Sequence, residues 1–150
     1  MAGGRRTFDH ALIYGYGSSN MSGKRVKHKN IMVLCRHAGV LLNYSALLNE
    51  AGYFRIGLCA SMNDVLNAMA NTKRIDCFIV DGFKISTADK RHLRSLNQGC
   101  LIKRFLLLGD FAFADQPRVF AWAKAHHIPL LGMARQPVSA ADLERYLQVL

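Results

Sequence analysis

Residues 75–81 read Ile75, Asp76, Cys77, Phe78, Ile79, Val80, Asp81: a short apolar run with one acid near its start and a second closing its end. A run of this length and continuity predicts a strand over 75–80 buried on both faces, as in a parallel sheet. An acid at the carboxyl end of such a strand stands where open α/β sheets gather their functional groups.

Outward from that strand the apolar pattern alternates between two periods. On the amino side, Ile31 to Cys35 and Arg55 to Cys59 predict two strands. Between them Val40, Leu41, Tyr44, Leu47 and Leu48 recur at helical spacing up to Gly52, a residue suited to ending a helix. Ser61 caps a second predicted helix through Val65, Leu66 and Met69. On the carboxyl side, Ser86 or Thr87 caps a helix through Leu93 and Leu96 that closes at Gly99. Phe105 to Leu108 predicts the fourth strand, Pro117 a helix start and Ile128 to Met133 the fifth strand. Ser139, with Asp142 near the first turn, opens a last helix over 140–150. Five βα units predict an α/β fold with a doubly wound, five-stranded parallel sheet of flavodoxin-like (βα)5 order. The residues at its strand ends are Cys35, Arg36, Asp81, Gly109, Asp110 and the segment after Met133.

The 150-residue chain is 51% hydrophobic, enough for one domain with a continuous core. No apolar run approaches the eighteen residues of a membrane span, and no basic segment with an adequate apolar stretch marks an export signal. A cytoplasmic protein without membrane insertion is expected. The four cysteines, Cys35, Cys59, Cys77 and Cys100, are widely spaced without a zinc-ligand rhythm and are expected to be reduced core residues. A metal site combining them with His126 and His127 is not expected.

The net charge is +10, and residues 1–30 supply half of it, with six Lys and Arg against Asp9. Residues 1–29 are rich in Gly, Ser and Asn without period and are expected to form a flexible basic arm ahead of a domain over 30–150. Met21 is placed as a start could be, so residues 1–20 are readable as an extension. Lys73, Arg74, Lys103 and Arg104 precede strands and are expected at the sheet's amino edge. They could make a basic patch, but with no helix-turn-helix or aromatic-interleaved motif, nucleic acid is not the expected partner.

Asp76 through Asp81 resembles the third strand of bacterial two-component receiver domains, the CheY-like family, in which an acid, four apolar residues and the phosphorylated aspartate follow one another. Gln136, Pro137 and Val138, with Leu143 beyond, are similar to that family's Lys-Pro-aromatic stretch, although only the Pro carries over. The resemblance covers residues 30–150. It implies that Asp81 holds the phospho-acceptor position, and it exposes departures. Two acids that hold magnesium after the first strand are replaced by Cys35 and Arg36, and the Thr or Ser ending the fourth strand by Gly109. The Lys that contacts the phosphoryl group is replaced by Gln136, or by Arg135 if the register slips by one. Asp110 is an acid nearby, but it cannot rebuild a site lacking both first-strand ligands.

Arg36 therefore has two readings: a guanidinium paired bidentately with Asp81, standing in for the metal, or an outward, solvated side chain. The resemblance implies an atypical receiver working through protein–protein contacts in phosphorelay signalling, with magnesium binding weak or absent. The implied partners are a histidine kinase, a phosphotransfer protein or an effector domain, with a second copy of the chain a further candidate. One alternative is a receiver portion of a longer regulator or hybrid kinase still phosphorylated on Asp81; another is a basic nucleic-acid-associated protein. Enzymatic activity is not expected. Gly15-Tyr16-Gly17 precedes the first strand instead of following it. Gly17 to Lys24 misses the phosphate-loop spacing by one residue, with Arg25 where Ser or Thr belongs.

Overall fold

The computed structural model describes residues 25–150 apart from residues 72 and 73. Five strands, β1 (Lys27–Leu34), β2 (Tyr53–Cys59), β3 (Cys77–Asp81), β4 (Phe105–Gly109) and β5 (Leu130–Arg135), form one sheet. All neighbours run parallel, in the order β2-β1-β3-β4-β5. Five helices alternate with them: α1 (Ala38–Glu50), α2 (Met62–Met69), α3 (Thr87–Gln98), α4 (Gln116–Ala125) and α5 (Ala140–Leu147). This is the (βα)5 doubly wound order predicted from the apolar runs.

The helix starts follow local chemistry. The hydroxyls of Ser61, Ser86 and Ser139 accept the backbone N–H groups of Asp64, Asp89 and Asp142, and Ser139 with Asp142 completes a reciprocal capping box. Gly52, just past α1, has φ +98°, a conformation that favours glycine.

Strand residues alternate between two apolar layers, as the period of two demands. Met32, Leu34, Phe78, Phe105 and Leu107 pack with Val65, Ala68, Leu93, Leu96, Val119 and Ala123 of α2, α3 and α4. Ile31, Val33, Cys77, Ile79, Leu106 and Leu108 pack with Tyr44, Leu48, Leu143 and Leu147 of α1 and α5. By the same alternation, Cys35 and Asp81 belong to the α1/α5 side.

Two expectations are corrected. The first strand begins at Lys27, inside the segment assigned to the arm. The Lys27 N–H donates to the Gly52 carbonyl, while its Nζ donates to the Ala51 carbonyl and pairs with Glu144 at 3.6 Å. Polar residues continue this strand past the core's edge, so no apolar signal marks its start, and residues 27–29 are part of the sheet. Of the rest of the arm, residues 1–24 lie outside the described residues. Cys100 is exposed, unlike Cys35, Cys59 and Cys77, which are buried; it follows Gly99 in the turn beyond α3.

At the sheet's amino edge Arg74, Lys103 and Arg104 are exposed, and Lys73 lies outside the described residues. Arg74 pairs with Asp76 at 3.6 Å, and the Asp76 Oδ2 accepts the Asn30 N–H at 2.8 Å. That acid thus joins the start of β3 to β1, far from the carboxyl ends. No helix among the described residues is long and apolar enough to cross a membrane.

Candidate functional site at the carboxyl end of the sheet

Asp81 is the last residue of β3, half-buried, with its side chain toward α1 and the β5–α5 loop. Its Oδ2 accepts two hydrogen bonds. One comes from the Tyr44 hydroxyl, on the buried face of α1, and the other from the Gln136 Nε2 at 2.6 Å. Gln136 is brought there by β5, which it follows directly, and its own N–H donates to the Gly109 carbonyl at 3.0 Å. The result is a clamp in which two neutral donors from opposite flanks converge on one carboxylate oxygen.

Of the two candidate residues, Gln136 is the one that reaches Asp81. Arg135 pairs with Gly109 across the sheet and reaches Asp110 at 3.8 Å, while Gln136 reaches Asp81. The side chain of Asp110 is 98% exposed and turned to Arg135, not toward Asp81. Pro137 follows Gln136 and, with Val40, Leu47, Tyr44 and Val138, lines a groove between α1 and the β5–α5 loop.

Among the described residues Arg36 makes no ion pair with Asp81. Arg36 is exposed and lines, together with Asp81, a cavity on the α3 side, while the Oδ2 of Asp81 is held from the α1 side by Tyr44 and Gln136. Two uncharged donors thus stand where one of the two readings placed a guanidinium. Cys35 is buried, its Sγ donating to the His37 carbonyl at 3.5 Å. Burial pushes its thiol up from the ordinary range, and the nearby Asp81 charge adds to that. Burial likewise pushes the Tyr44 phenol up, as does its bond to Asp81, so it serves as a proton donor and not as an anion.

Tyr44 is the residue that periodicity misread. Its position predicts a core aromatic, and the ring is indeed buried, but the hydroxyl emerges at the sheet's carboxyl end. A tyrosine one or two turns into the helix after a strand whose neighbour ends in an acid was the available signal.

Magnesium, which the receiver resemblance implies, does not fit this donor set. It requires oxygen ligands in near-octahedral geometry. Here Asp81 offers one carboxylate with one oxygen already taken, beside a buried thiol and a guanidinium. Among the described residues, no three His, Cys, Asp or Glu side chains come together as a metal site.

The fold is that of CheY-like receiver domains. Comparison with solved structures supports this. A response regulator receiver domain protein from Clostridium thermocellum is 22% identical, with TM-score 0.62, covering 81% of this chain and 92% of that one. A putative pilus assembly protein (cpaE) from Burkholderia thailandensis is 18% identical, with TM-score 0.64 and coverage of 81% and 96%. CheY6 of R. sphaeroides, solved in complex with the P1 domain of CheA3, is 17% identical, with TM-score 0.60 and coverage of 81% and 95%. What these likenesses share with the chain is the fold. No family model and no curated protein matches the sequence.

Proposed function

We propose that the chain is an atypical receiver domain that acts in signal transduction through protein–protein contacts, without magnesium-dependent phosphorylation of Asp81. The observation that carries this reading is the clamp: one of the two Asp81 carboxylate oxygens, Oδ2, is held by Tyr44 and Gln136, and among the described residues no cation pairs with it. Phosphoryl transfer to a carboxylate needs a cation that gathers the accumulating charge. Cys35 and Arg36 supply no oxygen ligand for magnesium, and Gly109 has no hydroxyl with which to report a phosphoryl group.

On this reading the protein is not an enzyme and needs no cofactor. Its partners are signalling proteins: a histidine kinase, a phosphotransfer domain or an effector, met in the cytoplasm. The CheY6 neighbour, solved with a CheA P1 domain, is consistent with a partner of that kind. The competing reading keeps phosphorylation on Asp81. Incubation with acetyl phosphate and millimolar magnesium, followed by intact-mass measurement, separates them. No phosphoryl adduct is expected; rapid labelling that disappears in Asp81→Asn would overturn the proposal.

A further inference from the structure

We infer that the cavity between the ends of β1 and β3 and helix α3 is a binding site for a small amphipathic anion, a carboxylate or phosphate ester carried on a single apolar ring. The cavity measures about 260 Å³, just under the roughly 300 Å³ at which ordinary ligand pockets begin. That suits one ring and is too small for a nucleotide.

Its floor is apolar, formed by Leu34, Phe83, Leu93 and Leu96, all buried. Its rim carries Arg36 and Lys84 against Asp81 and Asp89, with His37 and His92 beside them. The formal charges cancel, but the two signs are not equally available. Asp81 already accepts from Tyr44 and Gln136. Asp89 accepts the Lys84 N–H at 2.7 Å and sits in the first turn of α3, where the helix's positive end compensates it. Arg36 and Lys84, in contrast, have no carboxylate within ion-pair distance among the described residues. The mouth therefore favours a negative group, which Arg36 can grip with two parallel N–H donors and Lys84 as a point charge. The ring would cover the apolar floor, and that burial distinguishes the ligand from a bare inorganic anion.

The inference deepens the preceding reading and rests on it, since a phosphoryl group and its metal would compete for the same mouth. The test is a magnesium-free titration of the full chain with phenyl phosphate and with benzoate, followed by backbone amide shifts. Inorganic phosphate and benzyl alcohol serve as comparisons. Both amphipathic probes should saturate, moving the amides of 80–84 and 36–37, and each comparison compound should bind roughly tenfold more weakly, about 1.4 kcal/mol. Arg36→Ala and Lys84→Gln, both exposed and harmless to the core, should each weaken binding roughly fivefold. Asp81→Asn, which removes a repelling charge, should tighten it. Leu96→Phe should block the floor.

Absence of saturation, affinities indifferent to Arg36 and Lys84, or equal binding of inorganic phosphate would overturn the inference. Magnesium-dependent labelling of Asp81 would instead overturn the preceding reading, and the metal-free titration would still report on the cavity.

Discussion

A Cβ placed on Gly109 would stand 2.5 Å from the carbonyl oxygen of Phe83 and 3.0 Å from the ring of Phe111. The end of β4 is thus pressed against the loop that follows β3, and the Phe83 N–H donates to the Leu108 carbonyl at 2.9 Å to hold it there. Where the receiver resemblance implies a hydroxyl side chain, this chain has backbone. A backbone oxygen cannot swing aside as the tip of a long side chain can, so any residue larger than glycine must displace the loop.

Gly109→Thr should therefore destabilise the domain by about 2 kcal/mol, within the ordinary range for overpacking, and Gly109→Ala by less. Thermal melts read the difference, with 1 kcal/mol corresponding to roughly 2–4 °C in a chain of this size. A Gly109→Thr protein melting with the wild type would show that the loop is free to move.

That contact also marks the limit of what the residues announce in order. The sheet was legible because strands buried on both faces write themselves as apolar runs, and the serine caps because their chemistry is local. Asp81 at a strand end was legible for the same reason. The clamp was not, because Tyr44 lies 37 residues from its acceptor, and an aromatic at helical spacing reads as core whichever way its hydroxyl points. Which of its two readings Arg36 takes was not legible, because a residue just past a strand end can turn to either face; here it is exposed at the mouth of the cavity on the α3 side. The start of β1 was hidden because Lys27 to Asn30 are polar, stabilised by backbone pairing and the Lys27 amine instead of apolar burial.

The clamp predicts how its members respond to substitution. Tyr44→Phe keeps the buried ring and removes one donor to a carboxylate. The expected loss is about 1.5–2 kcal/mol, the lower part of the range for hydrogen bonds to charged groups because Asp81 is only half-buried. Asp81→Asn should be milder, since its amide oxygen can still accept from both Tyr44 and Gln136, and no paired guanidinium is left stranded. Denaturant unfolding of the two variants gives the order, and Asp81→Asn proving the more harmful would mean that a charged partner acts on Asp81.

Stability should fall at alkaline pH, and the sign follows from buried acids. Burial raises the thiols of Cys59, to about 12, and of Cys77, and it raises the phenol of Tyr53 to about 12. In the unfolded chain these groups ionise near their ordinary values of 9 for cysteine and 10 for tyrosine. Between those values and the raised ones, the unfolded state binds fewer protons than the folded state, so stability is intact below pH 9 and declines above it. Each group contributes a slope of roughly 1.4 kcal/mol per pH unit within its window. Urea midpoints measured from pH 7 to 11 should be level at first and then drop, with Cys59→Ala and Cys77→Ala each reducing the slope. A midpoint that holds steady through pH 11 would contradict the burial of these thiols.

The remaining prediction concerns what it would take to give this site a metal. Magnesium sheds water reluctantly and binds where several oxygens are already arranged, whereas here Asp81 is engaged and Arg36 brings a permanent cation to the neighbouring strand end. Wild-type protein should show no saturable magnesium site at millimolar concentration by calorimetry. Arg36→Asp removes a positive charge and adds an oxygen ligand at an exposed position, so it can be made without burying a carboxylate, as Cys35→Asp would. Alone it should give weak binding, because the Oδ2 of Asp81 remains held by Tyr44 and Gln136. Adding Tyr44→Phe frees that oxygen in part, and the combined variant should bind magnesium more tightly than the two single effects together imply, since the changes act on one shared ligand. If Tyr44→Phe adds nothing to Arg36→Asp, the clamp does not restrain Asp81. If the unaltered protein binds magnesium tightly through Asp81, the clamp opens of its own accord, and the case for an unphosphorylated receiver fails with it.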